Sequence, residues 1–295
     1  MMRRKLGWII LLLPLVLIFT GWLYVYKTPN TEPNVKAKAA VLMDANTGEV
    51  IYKKNETVPY APASMSKMMT AYILLEHIHQ GKIHWKDQVT ISQKSEKMDG
   101  VKIPIQSGDV LSIQDLYQAL LIKSANNSAV ALAEHIASTE TKFVELMNQK
   151  AKQLGLSSKT TFVNASGLQE ADGTETKMTS MDVAKLAYHL IKDYPEVLKV
   201  TQLSESQLVF NNVTIKSTNK MLDPTNRRFY FKGMDGLKSG FTDSAGYCFT
   251  GTAVQGDKRL ISVVMGTNST NKRFTESRKL LSYGFQVTES SVVQK

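Results

Sequence analysis

Ser64 and Lys67 lie three residues apart in a mostly apolar stretch, residues 61–72 (APASMSKMMTAY). If this stretch is helical, positions i and i+3 share one face, so the serine hydroxyl and the lysine amine can touch. A lysine in a buried helix loses hydration, which lowers its pKa and lets the neutral amine act as a base. The spacing therefore predicts a serine nucleophile beside a basic amine. Taken alone, the pair also fits a helix-capping serine and a lysine that reaches solvent.

Two further tripeptides, SAN and KSG, place hydroxyls beside amide or cationic groups: Ser124 with Asn126, and Lys238 with Ser239. Each alone fits a helix cap or an ordinary turn. Lys238 can bind a carboxylate or share a hydroxyl proton, and Gly240 would let the strand edge approach a ligand backbone closely. Together with the first pair, in this order along the chain, the three motifs are far more specific than any one of them.

The elements that must position these motifs follow from the spacing of apolar residues. The predicted helices cover residues 65–78, 112–124, 128–137, 142–154, 181–192 and 271–283, and the predicted strands cover 38–43, 50–53, 89–92, 207–215, 234–238, 246–255 and 259–266. The first helix is apolar nearly all round, which predicts that it is buried. Strands at both ends of the chain predict an α/β (α+β) fold: a mixed, mainly antiparallel sheet flanked by helices, with an inserted all-helical lobe and a cleft at the junction.

The N-terminus predicts a membrane segment. Three basic residues at 3–5 precede an uncharged run over residues 6–26, which would span about 31 Å as a helix. This run is longer than the apolar part of a signal peptide and lacks an A-x-A-like cleavage site, which favours a retained single-pass anchor over a cleaved signal. We therefore expect an anchor at 1–26, a linker at 27–36, an extracytoplasmic catalytic domain at 37–285 and a short tail at 286–295.

Charge and composition exclude several classes of function. The formal net charge of +10 suits a polyanionic surface such as anionic lipid or a cell-wall polymer, whereas no basic run interleaved with aromatic residues indicates nucleic acid. Cys248 is the only cysteine, so the chain has no internal disulfide, and we expect this thiol to be buried in the core. The five histidines form no H-E-x-x-H motif and there is no P-loop, so we expect no metal and no cofactor.

The three motifs and their flanks resemble a known family. S-x-x-K with S-D-N and K-T-G is the signature of penicillin-binding proteins and class A β-lactamases. The segments PASMSKMMTAY, KSANNSAVALAE, TTFVNASGL, GMDGLKSGFTDSAGYC and KRFTESRKLLSYGF look like the serine D-alanyl-D-alanine carboxypeptidases, the low-molecular-mass penicillin-binding proteins. The resemblance covers nearly all of residues 37–285 and implies a β-lactamase/D,D-peptidase-like fold.

The resemblance also implies catalytic roles. Ser64 would be the acylated nucleophile and Lys67 its general base. The backbone N–H groups of Ser64 and Phe241 would form the oxyanion hole. Ser124, with Lys238 nearby, would relay a proton to the leaving amine.

Substrate contacts are implied in the same way. Asn126 would orient the substrate amide, and Ser239 and Arg273 would receive the terminal carboxylate, for which a planar guanidinium is well suited. The third motif is K-S-G where the family usually has K-T-G, and the second is S-A-N where many members have S-G-N. Both departures keep the polar atoms.

The expected function is that of a membrane-anchored D,D-carboxypeptidase. It would remove the terminal D-alanine from peptidoglycan stem peptides through an acyl-serine intermediate and would bind β-lactams covalently. The alternatives are a class A β-lactamase, a D,D-endopeptidase, and a catalytically idle peptidoglycan-binding module. A class A β-lactamase needs a glutamate that activates the deacylating water. In this sequence Glu170 lies in NASGLQEADG, which looks like the peptidase version of that segment.

Overall fold

The computed structural model describes residues 32–292, with side chains up to residue 286. The predicted anchor at residues 1–26 lies outside the described residues, as does the first half, residues 27–31, of the predicted linker at 27–36. None of the helices within residues 32–292 is long and apolar enough to cross a membrane.

A five-stranded antiparallel sheet forms the centre of the fold. The strands are β1 (Ala39–Asp44), β2 (Val50–Lys54), β3 (Pro59–Tyr60), β4 (Gln88–Thr90), β5 (Val110–Ser112), β6 (Met178–Thr179), β7 (Glu205–Gln207), β8 (Thr214–Lys216), β9 (Met234–Thr242), β10 (Gly246–Gln255) and β11 (Lys258–Thr267). The order in the main sheet is β2-β1-β11-β10-β9, and the remaining strands form two-stranded ladders. The first hairpin therefore joins the last three strands, as predicted, and β9 with the KSG motif lies at an edge.

Helices flank this sheet and form the middle of the chain. They are α1 (Lys67–His79), α2 (Gln93–Glu96), α3 (Ile113–Gln118), α4 (Asn126–Ala137), α5 (Glu140–Gln153), α6 (Ser180–Asp193), α7 (Val197–Thr201) and α8 (Thr270–Val292). Helix α6 packs on β1 and β11, and α8 packs on β10 and β11. The predicted α+β architecture with a helical middle is confirmed.

Strand β1 shows how the sheet separates two apolar layers. Because successive side chains of a strand point to opposite faces, Val41 and Met43 join the core that contains α1 and α6. Ala40 and Leu42 join the second core beneath α8. Cys248 is fully buried in the first core, as predicted.

The first nine residues of α1, from Lys67 to Leu75, are all buried. The helix therefore lies in the interior, as its nearly continuous apolar sequence predicts. Its N-terminal end meets the edge strand β9 through the turn that precedes it, since β9 and this turn are in contact. The buried helix thus fixes the position of Ser64 and Lys67 against the sheet.

Two predicted elements are wrong in extent. The predicted strand over 207–215 is a hairpin of β7 and β8, because Asn211 and Asn212 adopt left-handed backbone conformations (φ 51° and 52°) that reverse the chain. The predicted last helix ends at Tyr283, whereas the observed helix continues through Gly284 to residue 292. Gly284 does not end the helix. A Cβ there would lie 2.7 Å from Leu42, so the glycine permits close packing on the sheet.

The helix predicted over 112–124 also differs. Ser112 belongs to β5 and caps α3, whose Asp115 N–H donates to its hydroxyl at 3.1 Å. Residues Ala119–Lys123 then form a π-helical turn, which ends at Ser124 in a left-handed conformation (φ 69°). The wide turn and the reversal at its end present residues 124–126 as a bend between two helices.

Candidate active site

Ser64 lies in a 3₁₀ turn, Ala63–Ser66, that leads into α1. Ala63 adopts a left-handed conformation (φ 49°), which is uncommon for a residue with a side chain and places the serine at a sharp bend. The Ser66 hydroxyl donates to the Ala63 carbonyl at 3.0 Å and closes the turn. The backbone before Ser64 is thus bent and held by a local hydrogen bond.

Two glycines let neighbouring segments pack against this turn. A Cβ on Gly240 of β9 would lie 2.4 Å from the Pro62 carbonyl oxygen, and a Cβ on Gly167 would lie 2.1 Å from the Ala63 carbonyl oxygen. Only glycine fits at either position without displacing backbone. At Gly240 the space beside the α-carbon is filled by the turn that carries Ser64, and the approach of a ligand backbone to the strand edge stays a prediction.

Lys67, the first residue of α1, is fully buried, and its Nζ has three oxygen partners. These are the Ser64 Oγ at 2.9 Å, the Asn126 Oδ1 at 2.7 Å and the Ser166 carbonyl oxygen at 2.7 Å. Burial, and then the charge of Lys238, lower the pKa of Lys67 well below its ordinary value. A neutral amine has two N–H groups and one lone pair. Since the amide and carbonyl oxygens can only accept, the lone pair is left for the Ser64 O–H.

Asn126 begins α4 and contacts the site from the helical side. Its Oδ1 accepts from Lys67, and its Nδ2 donates to the Asp99 carbonyl at 2.7 Å. Its backbone N–H donates to the Val101 carbonyl at 2.7 Å, which fixes the start of α4 beside the loop that precedes it. Hydrogen bonds therefore fix both the oxygen and the nitrogen of the side-chain amide, and a third fixes the backbone of Asn126. Ser124 lies two residues earlier and is 5% exposed.

Lys238 contacts the site from the sheet side. Its side chain is 2% exposed, and its Nζ donates to the Ser239 carbonyl at 3.1 Å. Burial, and then the charge of Arg273, lower the pKa of Lys238 to about 7. Near neutral pH this amine therefore exchanges readily between its charged and neutral forms, and it lowers the pKa of Lys67 when it is charged.

The predicted carboxylate-binding residues lie together on β9 and α8. The Ser239 hydroxyl donates to the Thr218 hydroxyl at 2.7 Å. Arg273 Nη1 donates to the Gly240 carbonyl at 3.2 Å, and its guanidinium lies 4.9 Å from the centre of the Phe274 ring. These contacts place a hydroxyl and a guanidinium at neighbouring residues of one strand edge.

Phe241 follows the KSG motif and is 46% exposed. Its ring stacks on Tyr247 with centroids 4.3 Å apart. Strands β9 and β10 pair these two residues directly, one position before the last pair of the ladder, Thr242 with Gly246. The aromatic pair supports the strand end that carries the predicted oxyanion N–H.

Sequence reasoning missed three groups that hold the motif residues in place. The Ser166 carbonyl accepts from Lys67, the Asp99 carbonyl accepts from Asn126, and Thr218 accepts from Ser239. Two of these groups are backbone carbonyls, which carry no residue-type signal. The turn that presents the first of them does carry a signal, the asparagine and glycine of the segment NASGL.

Glu170 is the glutamate in the segment where a class A β-lactamase would carry its own. It is exposed, and its carboxylate accepts a hydrogen bond from the Asn164 side chain. From this part of the chain it is the Ser166 carbonyl, not a carboxylate, that reaches Lys67. Within residues 32–292, no group of three or more histidine, cysteine, aspartate or glutamate side chains could hold a metal ion.

Comparison with known proteins gives the same assignment as the motifs. Residues 26–269 match the family described as D-alanyl-D-alanine carboxypeptidase. The chain belongs to this family. It is also 35% identical over 263 residues to D-alanyl-D-alanine carboxypeptidase DacF of Bacillus subtilis, an alignment that covers 88% of this chain and 65% of DacF. The chain thus spans just under two thirds of the length of this relative.

Two further relatives extend the comparison. Penicillin-binding protein D2 of Listeria monocytogenes, solved in its ampicillin-bound form, is 36% identical with a TM-score of 0.77, over 85% of this chain and 98% of that one. D-alanyl-D-alanine endopeptidase of Escherichia coli is 30% identical over 86% of this chain and 78% of its own length. The structural similarity confirms the predicted fold class.

Proposed function

We propose that this protein is a serine D,D-carboxypeptidase that removes the terminal D-alanine from peptidoglycan stem peptides. The observation that carries the proposal is the 2.9 Å contact between Lys67 Nζ and Ser64 Oγ, made by a lysine that is fully buried. The family match and the carboxypeptidase relatives support the substrate class. We assign the catalytic domain to residues 37–285.

The proposed reaction begins at Ser64. The neutral amine of Lys67 takes the hydroxyl proton as Ser64 Oγ attacks the carbonyl carbon of the penultimate D-alanine. The backbone N–H groups of Ser64 and Phe241 stabilise the oxyanion. When the tetrahedral intermediate collapses, the C–N bond breaks, and Ser124, with Lys238 as its proposed partner, relays the proton that Lys67 took up to the leaving amine, so that Lys67 is neutral again. Water then hydrolyses the acyl-serine ester and restores the enzyme.

The remaining motif residues hold the substrate. Asn126 orients the substrate amide, while Ser239 and Arg273 bind the terminal carboxylate. A hydroxyl and a guanidinium at one strand edge provide both a short hydrogen bond and a delocalised positive charge for that group. A β-lactam, whose carboxylate and acyl carbonyl occupy the same positions, would acylate Ser64 and be released slowly.

Two alternatives within the same chemistry remain to be tested. A class A β-lactamase would release bound penicillin rapidly, but the exposed position of Glu170 disfavours it. A D,D-endopeptidase would cleave cross-linked peptides, and the similarity to a protein named as an endopeptidase favours including this activity in the test. An idle peptidoglycan-binding module would bind muropeptides without being labelled by penicillin.

The deciding experiment uses the purified full-length chain. We expect it to release D-alanine from a peptide that ends in D-Ala-D-Ala and to be labelled covalently by a fluorescent penicillin. Ser64→Ala should abolish both, whereas Ser158→Ala, at an exposed position, should change neither. A folded wild-type protein that releases no D-alanine would contradict the proposal, and rapid penicillin turnover would favour the β-lactamase.

We also propose that residues 6–26 anchor the protein in the cytoplasmic membrane, with the catalytic domain outside the cytoplasm. The uncharged run of 21 residues behind three basic residues supports this orientation. The full-length protein should remain in the membrane fraction after a high-salt wash. Recovery in the medium of a shorter form that begins after the apolar run would show a cleaved signal instead.

A further inference from the structure

Glu140, the first residue of α5, is a buried carboxylate outside the catalytic motifs, with 7% of its surface exposed. Its Oε1 accepts a hydrogen bond from the Ala165 backbone N–H at 3.0 Å, and its Oε2 forms an ion pair with Lys94 Nζ at 2.7 Å. A carboxylate at the first turn of a helix is also stabilised by the helix dipole. Both oxygens of this side chain are therefore engaged, one of them by the loop that reaches Lys67.

In that loop, both backbone polar groups of Ala165, its N–H and its carbonyl, are hydrogen-bonded to side chains. Glu140 binds the Ala165 N–H, and the Thr70 hydroxyl of α1 donates to the Ala165 carbonyl at 2.7 Å. The next carbonyl along the chain, that of Ser166, accepts from Lys67 Nζ. A shift of the loop away from Glu140 would therefore move the carbonyl that holds the amine.

We propose that Glu140 is a positioning residue for Lys67, acting through the loop at residues 164–167. It holds Ala165 so that the Ser166 carbonyl takes one N–H of the amine and the lone pair stays directed at Ser64. The carboxylate itself touches neither substrate nor the reacting atoms. The link to catalysis rests on the proposed function, whereas the link to the position of Lys67 does not.

Other charged groups act on Lys94, which pairs with Glu140, and on Lys67, and they affect any titration of Lys67. Lys94 is paired with Glu140, and the negative charges of Glu134 and Glu170 also act on it. Lys67 is affected by the charge of Lys238. A variant of Glu140 that leaves these other groups in place therefore tests the connection through the loop.

The experiment compares three substitutions of Glu140 in the full-length protein. Glu140→Ala removes the acceptor for Ala165, Glu140→Asp shortens it by one methylene, and Glu140→Gln retains an acceptor oxygen while removing the charge. Glu145→Ala, at an exposed glutamate on the same helix, is the matched control. The measured quantities are the acylation rate with a fluorescent penicillin as a function of pH, and the pKa of Lys67 from NMR of labelled lysine side chains.

We expect Glu140→Ala to slow acylation about tenfold to a hundredfold, the loss that follows a displacement of about 1 Å in a catalytic group. Water that enters beside the loosened loop hydrates the ammonium, so the pKa of Lys67 and the acidic limb of the rate profile both move to higher pH. Glu140→Asp should show the same changes to a smaller extent and keeps the test usable if the alanine variant does not fold. Glu140→Gln should restore most of the rate.

A purely structural role for Glu140 predicts a different result: a lower melting temperature with an unchanged pH profile and an unchanged Lys67 pKa. That result, or a glutamine variant as impaired as the alanine variant, would overturn the inference. The NMR titration also separates this inference from the proposed function. If the wild-type protein is not acylated but Glu140→Ala still shifts the pKa of Lys67, the positioning role stands and the proposed function fails.

Discussion

The site has a helical wall, which carries Ser64, Lys67 and Asn126, and a sheet wall, which carries Lys238 and Ser239. Each wall carries one buried lysine, but the two lysines have different hydrogen-bond partners. On the helical wall, Lys67 Nζ contacts three oxygens, from Ser64, Asn126 and Ser166. On the sheet wall, the hydrogen bond of Lys238 Nζ within the described residues is to the carbonyl of its own neighbour, Ser239. Burial lowers the pKa of both amines.

This difference indicates different tasks. The Nζ of Lys67 already contacts three oxygens and has no capacity left for a ligand, so Lys67 is suited to exchange a proton with one hydroxyl, that of Ser64. An ammonium has three donors, and Lys238 uses one of them inside the protein. Lys238 therefore keeps donors for groups that arrive with the substrate, whereas Lys67 keeps none.

The largest expected effect comes from removing the amine on the helical wall. Lys67→Met keeps the length and the apolar stem of the side chain but leaves Ser64 without a base. We expect the rate of penicillin acylation to fall about 10²- to 10⁴-fold, the usual contribution of a general base. Stopped-flow or gel-based labelling measures it, with Lys152→Met, at an exposed position, as the control. Near-normal labelling of the methionine variant would remove Lys67 from its proposed role.

A smaller effect is expected on the sheet wall. Lys238→Met removes a charged hydrogen-bond donor, which contributes about 1.5–3 kcal/mol and so about tenfold to a hundredfold in kcat/KM for a D-Ala-D-Ala peptide. Since Lys67 and Ser64 keep their contact, acylation should persist at a reduced rate. If Lys238→Met lost as much activity as Lys67→Met, the assignment of proton exchange to Lys67 and of substrate contacts to Lys238 would be wrong.

The pH dependence of stability tests burial on the sheet wall directly. The pKa of Lys238 is about 7 in the folded protein, below the value of about 10.4 for a lysine in an unfolded chain. The unfolded state therefore binds more protons between these values, and the free energy of unfolding rises with pH by at most about 1.4 kcal/mol per pH unit for this group. Lys67, whose pKa is also lowered, contributes in the same direction.

Urea unfolding at about pH 7 and about pH 9 measures this slope, a range chosen to lie between the two pKa values of Lys238. We expect the slope to decrease in Lys238→Met and to be unchanged in Lys152→Met, which lies at an exposed position. An equal slope in the wild type and in Lys238→Met would mean that Lys238 is solvated and charged in the folded protein.

The contact between Ser64 and Lys67 was easier to predict from the sequence than the backbone geometry that surrounds it. The spacing of Ser64 and Lys67 on a nearly all-apolar helix predicted that the two side chains can touch, because this depends on local periodicity. The pair alone also fitted a lysine that reaches solvent, and the structure shows the buried alternative. The 3₁₀ geometry at Ser64 was not predicted. It depends on a left-handed Ala63, a conformation that no residue-type preference indicates.

Contacts made by the backbone or by distant loops could not be predicted. The Ser166 carbonyl reaches Lys67 from 99 positions away in the sequence, and a carbonyl is common to every residue type. Gly240 signalled a close approach but not which neighbour approaches, so its packing against the turn that carries Ser64 was not predicted. The helix through Gly284 illustrates the same ambiguity, since a glycine can end a helix or let it pack closely.

The smallest expected effect concerns a contact on the sheet wall that the sequence did not indicate. Thr218 accepts the hydroxyl hydrogen bond of Ser239 at 2.7 Å. Thr218→Val keeps the shape of the side chain and removes this acceptor, which costs about 0.5–1.5 kcal/mol, or about two- to tenfold in KM for the peptide if Ser239 receives the substrate carboxylate. Steady-state kinetics measures it, with Thr218→Ser as the variant that retains the hydroxyl. Because Ser64 and Lys67 lie on the other wall, the acidic limb of the acylation profile should not move. A shift of that limb in Thr218→Val would show that the two walls are coupled through Ser239.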